Sequence, residues 1–315
     1  MFGFLVRRLA GMLLVMLLVG VIVFLITRAV PGDPVAIMLG EGATPEDIAR
    51  LRLVYGLDQP MPVQFVLWLR QLFTGDLGTS IFFSEPVTRL LAARAEPTAL
   101  LSLVALTIAL LLGLPAGLVS AIRPGGAVDR VVLTLAMIAA GIPSFWLGLV
   151  LMQYLAVKAG WFPVAGYGPP EASAWQRLPY LVLPGLALAL PNAALLARMT
   201  RSSMLDVASL DYIRTATAKG LAPRAVFLKH AFRNALITVV TVIGVITAVL
   251  LSGVVVVETV FSLPGLGQLV MSAVLRRDYP VIQGALIVIA GIYVLVNLII
   301  DVLYGLIDPR ISYAS

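Results

Sequence analysis

The sequence contains no cysteine and a single histidine, His230, and each scarcity removes a class of chemistry. Without cysteine there are no disulfides, no thiolate metal sites and no cysteine nucleophile, and one imidazole does not make a histidine-based metal centre. Charge is also thin: 12% of the residues are Asp, Glu, Lys or Arg and 60% are apolar, where a soluble domain carries about a quarter charged residues. Missing too is any phosphate-cradling loop of the G-x-x-x-x-G-K-[ST] form, and the only lysines, Lys158, Lys219 and Lys229, lie outside such a setting. A chain of this composition belongs in a bilayer, and if it moves solute uphill the work is supplied by something else.

What charge there is follows the membrane. The formal charge is +6, yet the arginines are dispersed around apolar segments with no basic stripe interleaved with aromatics, so nucleic acid is not the expected partner. Six stretches are long and apolar enough to cross a hydrocarbon core of about 30 Å, which takes roughly 20 helical residues. They lie near Leu9 to Ile26, Thr98 to Ile122, Val131 to Val157, Leu181 to Leu196, Leu236 to Val257 and Val281 to Leu306. The fourth is the shortest and is interrupted by Pro184 and Pro191. Arg7 and Arg8 precede the first span, Arg123 and Arg130 bracket the loop after the second, and seven basic residues from Arg198 to Arg233 lie between the fourth and fifth. Positive flanks are retained in the cytoplasm, so both termini are expected inside. The first apolar run is too long for a cleaved leader and exits through Thr27 to Pro31 without a small-residue cleavage site.

Residues 30–96 read differently, with more Gly, Pro and charge, as a small extracytoplasmic subdomain. Thr44-Pro-Glu-Asp47 has the form of a helix start, with Thr as N-cap, Pro in the first turn and acids complementing the dipole. Met61 to Phe73, with Val63, Val66, Leu67 and Leu69 around Trp68, suits an amphipathic helix packed on the spans or lying at the membrane surface.

The polar loop 198–235 is the most informative part of the chain. Arg214-Thr-Ala-Thr-Ala-Lys-Gly220 places Ala216 and Gly220 four residues apart, on one face of a short helix where small side chains let another surface approach closely. Gly220 is suited to end that helix in a left-handed conformation and Pro223 to start the next one. On the other side of the membrane, Glu258 to Gly267 follows the fifth span, and Pro264, Gly265 and Gly267 break the helix there. Leu263, Leu266 and Leu269 stay apolar, so this turn should bury itself; with Glu258 and Phe261 it is a candidate outer gate. Pro115, Pro143, Pro184 and Pro191 lie inside spans and are expected to kink them. Ser144, Gln153, Asn192 and Asn297 are candidate pathway-lining residues, although hydrogen bonding between helices is the commoner use of such side chains.

The loop resembles the EAA motif of ABC importer permeases, with Arg214, Thr215, Ala216 and Gly220 in the positions of E, A, A and G. Arg214 replaces the acidic residue, and Thr238 stands where many relatives have proline. The chain is further similar, over nearly its whole length, to the first (B-type) permease of the dipeptide, oligopeptide and nickel branch of that family. The blocks that carry this are Pro31-Gly-Asp-Pro34, Tyr55-Gly-Leu-Asp-Gln-Pro60, Gly75-Asp-Leu-Gly-Thr-Ser80, Asp211 to Leu221, and Glu258 to Gly267 followed by Arg277-Asp-Tyr-Pro280. The resemblance implies an all-α, six-span, type I importer permease in a bacterial inner membrane. Its parts would be residues 1–29 as cytoplasmic N-terminus and first span, 30–96 outside, 97–306 as permease core, and 307–315 as cytoplasmic tail. It further implies a second, related permease, two cytoplasmic ATPases that hold ATP and Mg, and an extracytoplasmic solute-binding protein, with no cofactor on this chain. Arg214, Thr215, Ala216, Ala218, Lys219 and Gly220 would then form the segment seated in the ATPase.

Two other classes compete. An ion-coupled carrier normally keeps ionisable groups within the membrane, and these spans carry none near their centres, Asp301 lying toward one end. An intramembrane hydrolase needs a nucleophile with a base nearby, and the sole histidine and the acids lie outside the span centres.

Overall fold

The computed structural model describes residues 2–29, 44–54 and 57–307, together with Val35 and Leu39. The Pro31 to Pro34 block, Tyr55 and Gly56, and the tail beyond Ile307 lie outside the described residues. Among the described residues there is no strand, and one isolated antiparallel bridge joins Thr79 to Pro86. The helices are α1 Phe2–Ala29, α2 Pro45–Val54, α3 Met61–Phe73, α4 Val87–Ile122, α5 Ala127–Gly141, α6 Ser144–Lys158, α7 Ala174–Ala208, α8 Asp211–Ala218, α9 Pro223–Val260, α10 Leu266–Arg276 and α11 Tyr279–Ile307. The last half of α6, Met152–Lys158, and the stretch Val226–Ala231 of α9 are π-helical.

Five of these helices are long and apolar enough to cross a membrane, or six if α5 and α6, bent by 101° at the break between them, count as one span. The third span, expected as one helix, is therefore broken. Ile142, held extended by the proline that follows it (φ −91°, ψ 124°), ends α5, and Pro143 opens α6. Pro115, Pro184 and Pro191, by contrast, sit inside uninterrupted helices. The fourth span is also not short. α7 runs for 35 residues from a capping box in which Ser173 and Gln176 satisfy each other's backbone amides.

The chain divides into two compact units, Met1–Glu96 with Gly265–Val294, and Pro97–Pro264 with Leu295–Ser315. The segment Gly265–Val294, from α10 into α11, belongs to the first of these units. In this first unit α3 lays Phe65 and Trp68 on Phe24 of α1, with ring centroids 5.3 and 5.7 Å apart, while Val63, Val66 and Phe73 remain exposed. Thr44 caps α2, its Oγ1 accepting from the Asp47 amide at 3.2 Å. Val87, Leu90 and Leu91 pack with Leu266, Leu269, Ala273, Val281 and Ala285.

The second unit is built on α7 and α9. Leu181, Leu188 and Leu196 of α7 pack with Val242, Ile246, Leu250 and Val257 of α9, and Leu101 and Ala105 of α4 close the cluster. α4 approaches α7 at Gly113 and Gly117, where an added Cβ would lie 2.8 Å from the Ala193 carbonyl oxygen and 2.6 Å from that of Ala197. Lipid gives helices no hydrophobic reason to associate, so close backbone approach through small residues supplies the contact.

Candidate functional site

α8 is a two-turn helix whose limits are set by its own residues. Asp211 places an acid at the positive end, and the Thr215 hydroxyl donates back to the Asp211 carbonyl at 2.9 Å. The helix stops in a Schellman motif: Gly220, at φ +78°, donates to Thr217 O at 2.9 Å while Leu221 donates to Ala216 O at 3.4 Å. Pro223 then occupies the first turn of α9.

The two faces of α8 have different jobs. Ile213 and Ala216, one turn apart, are buried with Met204 of α7, Ala121 of α4 and Val226, Ala231 and Ala235 of α9. Asn234 donates to the Tyr212 hydroxyl and to the His230 carbonyl, tying α8 to the start of α9. Arg214, Thr215, Ala218, Lys219 and Gly220 all face outward, and the 3.6 Å pair between Arg214 and Asp211 is too exposed to hold either side chain. The sequence reading put Ala216 and Gly220 on one outward face. The structure turns Ala216 inward, because Ile213 fixes which side of the helix is buried and Ala216 follows it at i+3, and it places Gly220 beyond the helix end.

At the other end of α9 the chain turns as the glycines and proline required, but the left-handed residue is Ser262 (φ 52°), not a glycine. Glu258 is fully buried and accepts from the Thr98 hydroxyl at 2.6 Å. Phe261 is 2% exposed; its carbonyl accepts from the Gly166 amide at 2.9 Å, and its ring meets α6 where a Cβ on Gly148 would lie 2.9 Å away. Leu263 packs in the α7 and α9 cluster, and Pro264 is half-buried. Gly265 caps α10, with Gly267 in its first turn, and both are buried.

The four candidate pathway residues are dispersed. Ser144 is half-buried at the start of α6 and Gln153 is exposed within its π-helical part. Asn192 is buried in α7 and spends its amide on the Leu188 carbonyl at 2.7 Å. Asn297 lies half-buried on α11.

Sequence reasoning missed a polar cluster near the loop. Asp129, at the start of α5, is 2% exposed and binds Arg201 of α7 through both carboxylate oxygens, Nε at 2.6 Å and Nη2 at 2.7 Å. Ser120 of α4 and the Gly125 amide donate to the same carboxylate. On sequence alone Arg201 is one of the basic residues between the fourth and fifth spans, a topogenic charge. The available signal was Asp129 itself, the one acid in the basic stretch from Arg123 to Arg130.

The chain matches the family described as binding-protein-dependent transport system inner membrane component over residues 113–313, and the N-terminal region of such components over residues 1–86. It is 43% identical to a probable peptide ABC transporter permease protein of Sinorhizobium fredii, over 98% of this chain and 99% of that one. It is 42% identical to the glutathione transport system permease protein of Salmonella choleraesuis, over 99% and 100%. In fold it is similar to a chain of the MetNI methionine ABC transporter solved in inward-facing conformations, with a TM-score of 0.59 at 21% identity, covering 71% of this chain and 99% of that one.

Proposed function

This chain belongs to the family of inner membrane components of binding-protein-dependent transport systems, as a membrane-spanning permease of the ABC importer class, and from that premise we propose that it imports short peptides. The cargo reading is supported by relatives named for peptide and glutathione transport that align over essentially the whole chain. The chain forms half of the pathway with a second, related permease. Two cytoplasmic ATPases carry the ATP and Mg sites, and a solute-binding protein delivers cargo from outside. Both termini and loop 198–235 face the cytoplasm, and residues 30–96 lie on the opposite side.

The observation that carries the coupling role is the division of α8 into a buried and an exposed face. Its inner face is joined to α4, α7 and α9, so a load placed on the outer face, Arg214, Thr215, Ala218, Lys219 and Gly220, is transmitted into the helices and is not absorbed by a free loop. ATP closes the ATPase pair, the load reaches the spans through α8, and the pathway reopens outward; hydrolysis resets it. A nucleotide shifts this equilibrium only by contacting the two states differently, so the ATPase must hold α8 in both. No observation favours the ion-coupled carrier.

Gly220→Trp tests the outer face but adds backbone strain at positive φ. Ala218→Trp, on an exposed helical position, blocks close approach without that strain. It is expected to insert normally and to lose ATP-driven uptake of labelled dialanine in the reconstituted complex. Wild-type uptake and hydrolysis in both tryptophan variants would remove α8 as the docking element.

A further inference from the structure

We infer that the Asp129–Arg201 ion pair is a positioning joint that makes the α5–α6 arm follow the coupling helix. The inference rests on the coupling role proposed for α8. Along α5, which packs against α7, only Asp129 and Ala136 are buried. The hydrophobic cluster beneath α8 draws residues from α4, α7, α8 and α9, and none from α5. The attachment of α5 at this end is polar: Asp129 accepts from Arg201 Nε and Nη2, Ser120 Oγ and the Gly125 amide. Those donors come from α7, α4 and the turn between α4 and α5, so a single carboxylate gathers three elements. A buried ion pair is a poor source of stability but a specific one, because only a fork-shaped cation satisfies both oxygens at once.

Motion is carried further by the arm itself. α5 continues through the bend at Ile142 and Pro143 into α6, where Gly148 lies so close to Phe261 that a methyl group would not fit. Arg201 stands two turns before α7 ends and α8 begins. The joint therefore links the element that would receive the ATPase load to the helix pair that touches Phe261 at the outer turn. The claim is of a mechanical connection with two settings, and the test is whether both ends move together.

The absence of cysteine makes this measurable. Spin labels at Val128→Cys and Asp211→Cys, both exposed in the structure and outside the proposed docking residues, are placed in the full complex with cysteine-free partners. Their separation is read without nucleotide and with ATP and vanadate. The wild-type joint gives one distance in both states. Asp129→Asn, and Arg201→Lys as the variant that keeps the charge and loses the fork, raise the population away from that distance by about 2- to 30-fold, the range expected for residues that carry coupling. A wild-type distance that changes between the two states overturns the proposal. So do variants that assemble with lower yield or thermal stability but keep the wild-type distance, and so does failure of both variants to assemble, which would make the pair a folding element only. A wild-type complex that contains no ATPase overturns the functional reading instead, and is recognised before any distance is measured.

Discussion

α1 and α7 respond to the membrane in opposite ways. Of the five unbroken candidate spans α1 is the most apolar, yet only 17% of its apolar stretch is buried; α7 is the least apolar and 61% buried. The difference follows from the solvent. A leucine-rich surface such as Leu13, Leu14, Leu17 and Leu18 on α1 is at no disadvantage against lipid, so hydropathy marks where lipid is met and says little about where helices pack. α7 instead presents Gly185, Ala187, Ala189, Ala193, Ala194 and Ala197 as buried positions, and small side chains are what let α4 and α9 approach it.

The largest effect that tests this contrast is expected at the α4–α7 approach. Gly117→Leu must displace a backbone carbonyl 2.6 Å from the new Cβ, and no side-chain rotation relieves that. A loss of about 3 kcal/mol or more is expected, at the upper end of overpacking costs. The check is the thermal midpoint of the purified complex, and tolerance of this change would break the packing account. Leu196→Ala, at a fully buried α7 position, is expected to lose about 2 kcal/mol, the low end of the range for soluble cores. Lipid, not water, is here the reference for the removed methyl groups, which leaves mainly the cavity. Leu14→Ala on the exposed side of α1 should fall within about 0.5 kcal/mol of wild type. If it matches Leu196→Ala in the same assay, the two helices are not different in kind.

The same contrast explains what the sequence made legible. Span positions were readable because lipid imposes length and apolarity, and the ends of α8 because Gly220 and Pro223 act through backbone geometry that needs no partner. The break at Pro143 was not separable from the continuous passage through Pro184 and Pro191, since proline only weakens a helix and packed neighbours decide whether it parts. The inward turn of Ala216 depended on Ile213 and on a cluster drawn from three other helices. Asp129 and Arg201 stand 72 residues apart, and only the fold brings the acid of one helix onto the basic residue of another. Phe261 and Glu258 can be singled out on sequence because the turn that holds them is marked by Pro264 and Gly265; their neighbours Gly148 and Thr98 carry no such mark.

The central claim is that a chain without a phosphate loop takes its power through the exposed face of α8, and single-cysteine cross-linking tests it most directly. Lys219→Cys, in a complex purified with its partner subunits, is predicted to form an adduct with the ATPase whose yield changes between nucleotide-free and ATP-and-vanadate conditions. A complex that hydrolyses ATP and imports dialanine while Lys219→Cys gives no ATPase adduct, and a cysteine in place of Phe83 of the first unit does, would contradict it.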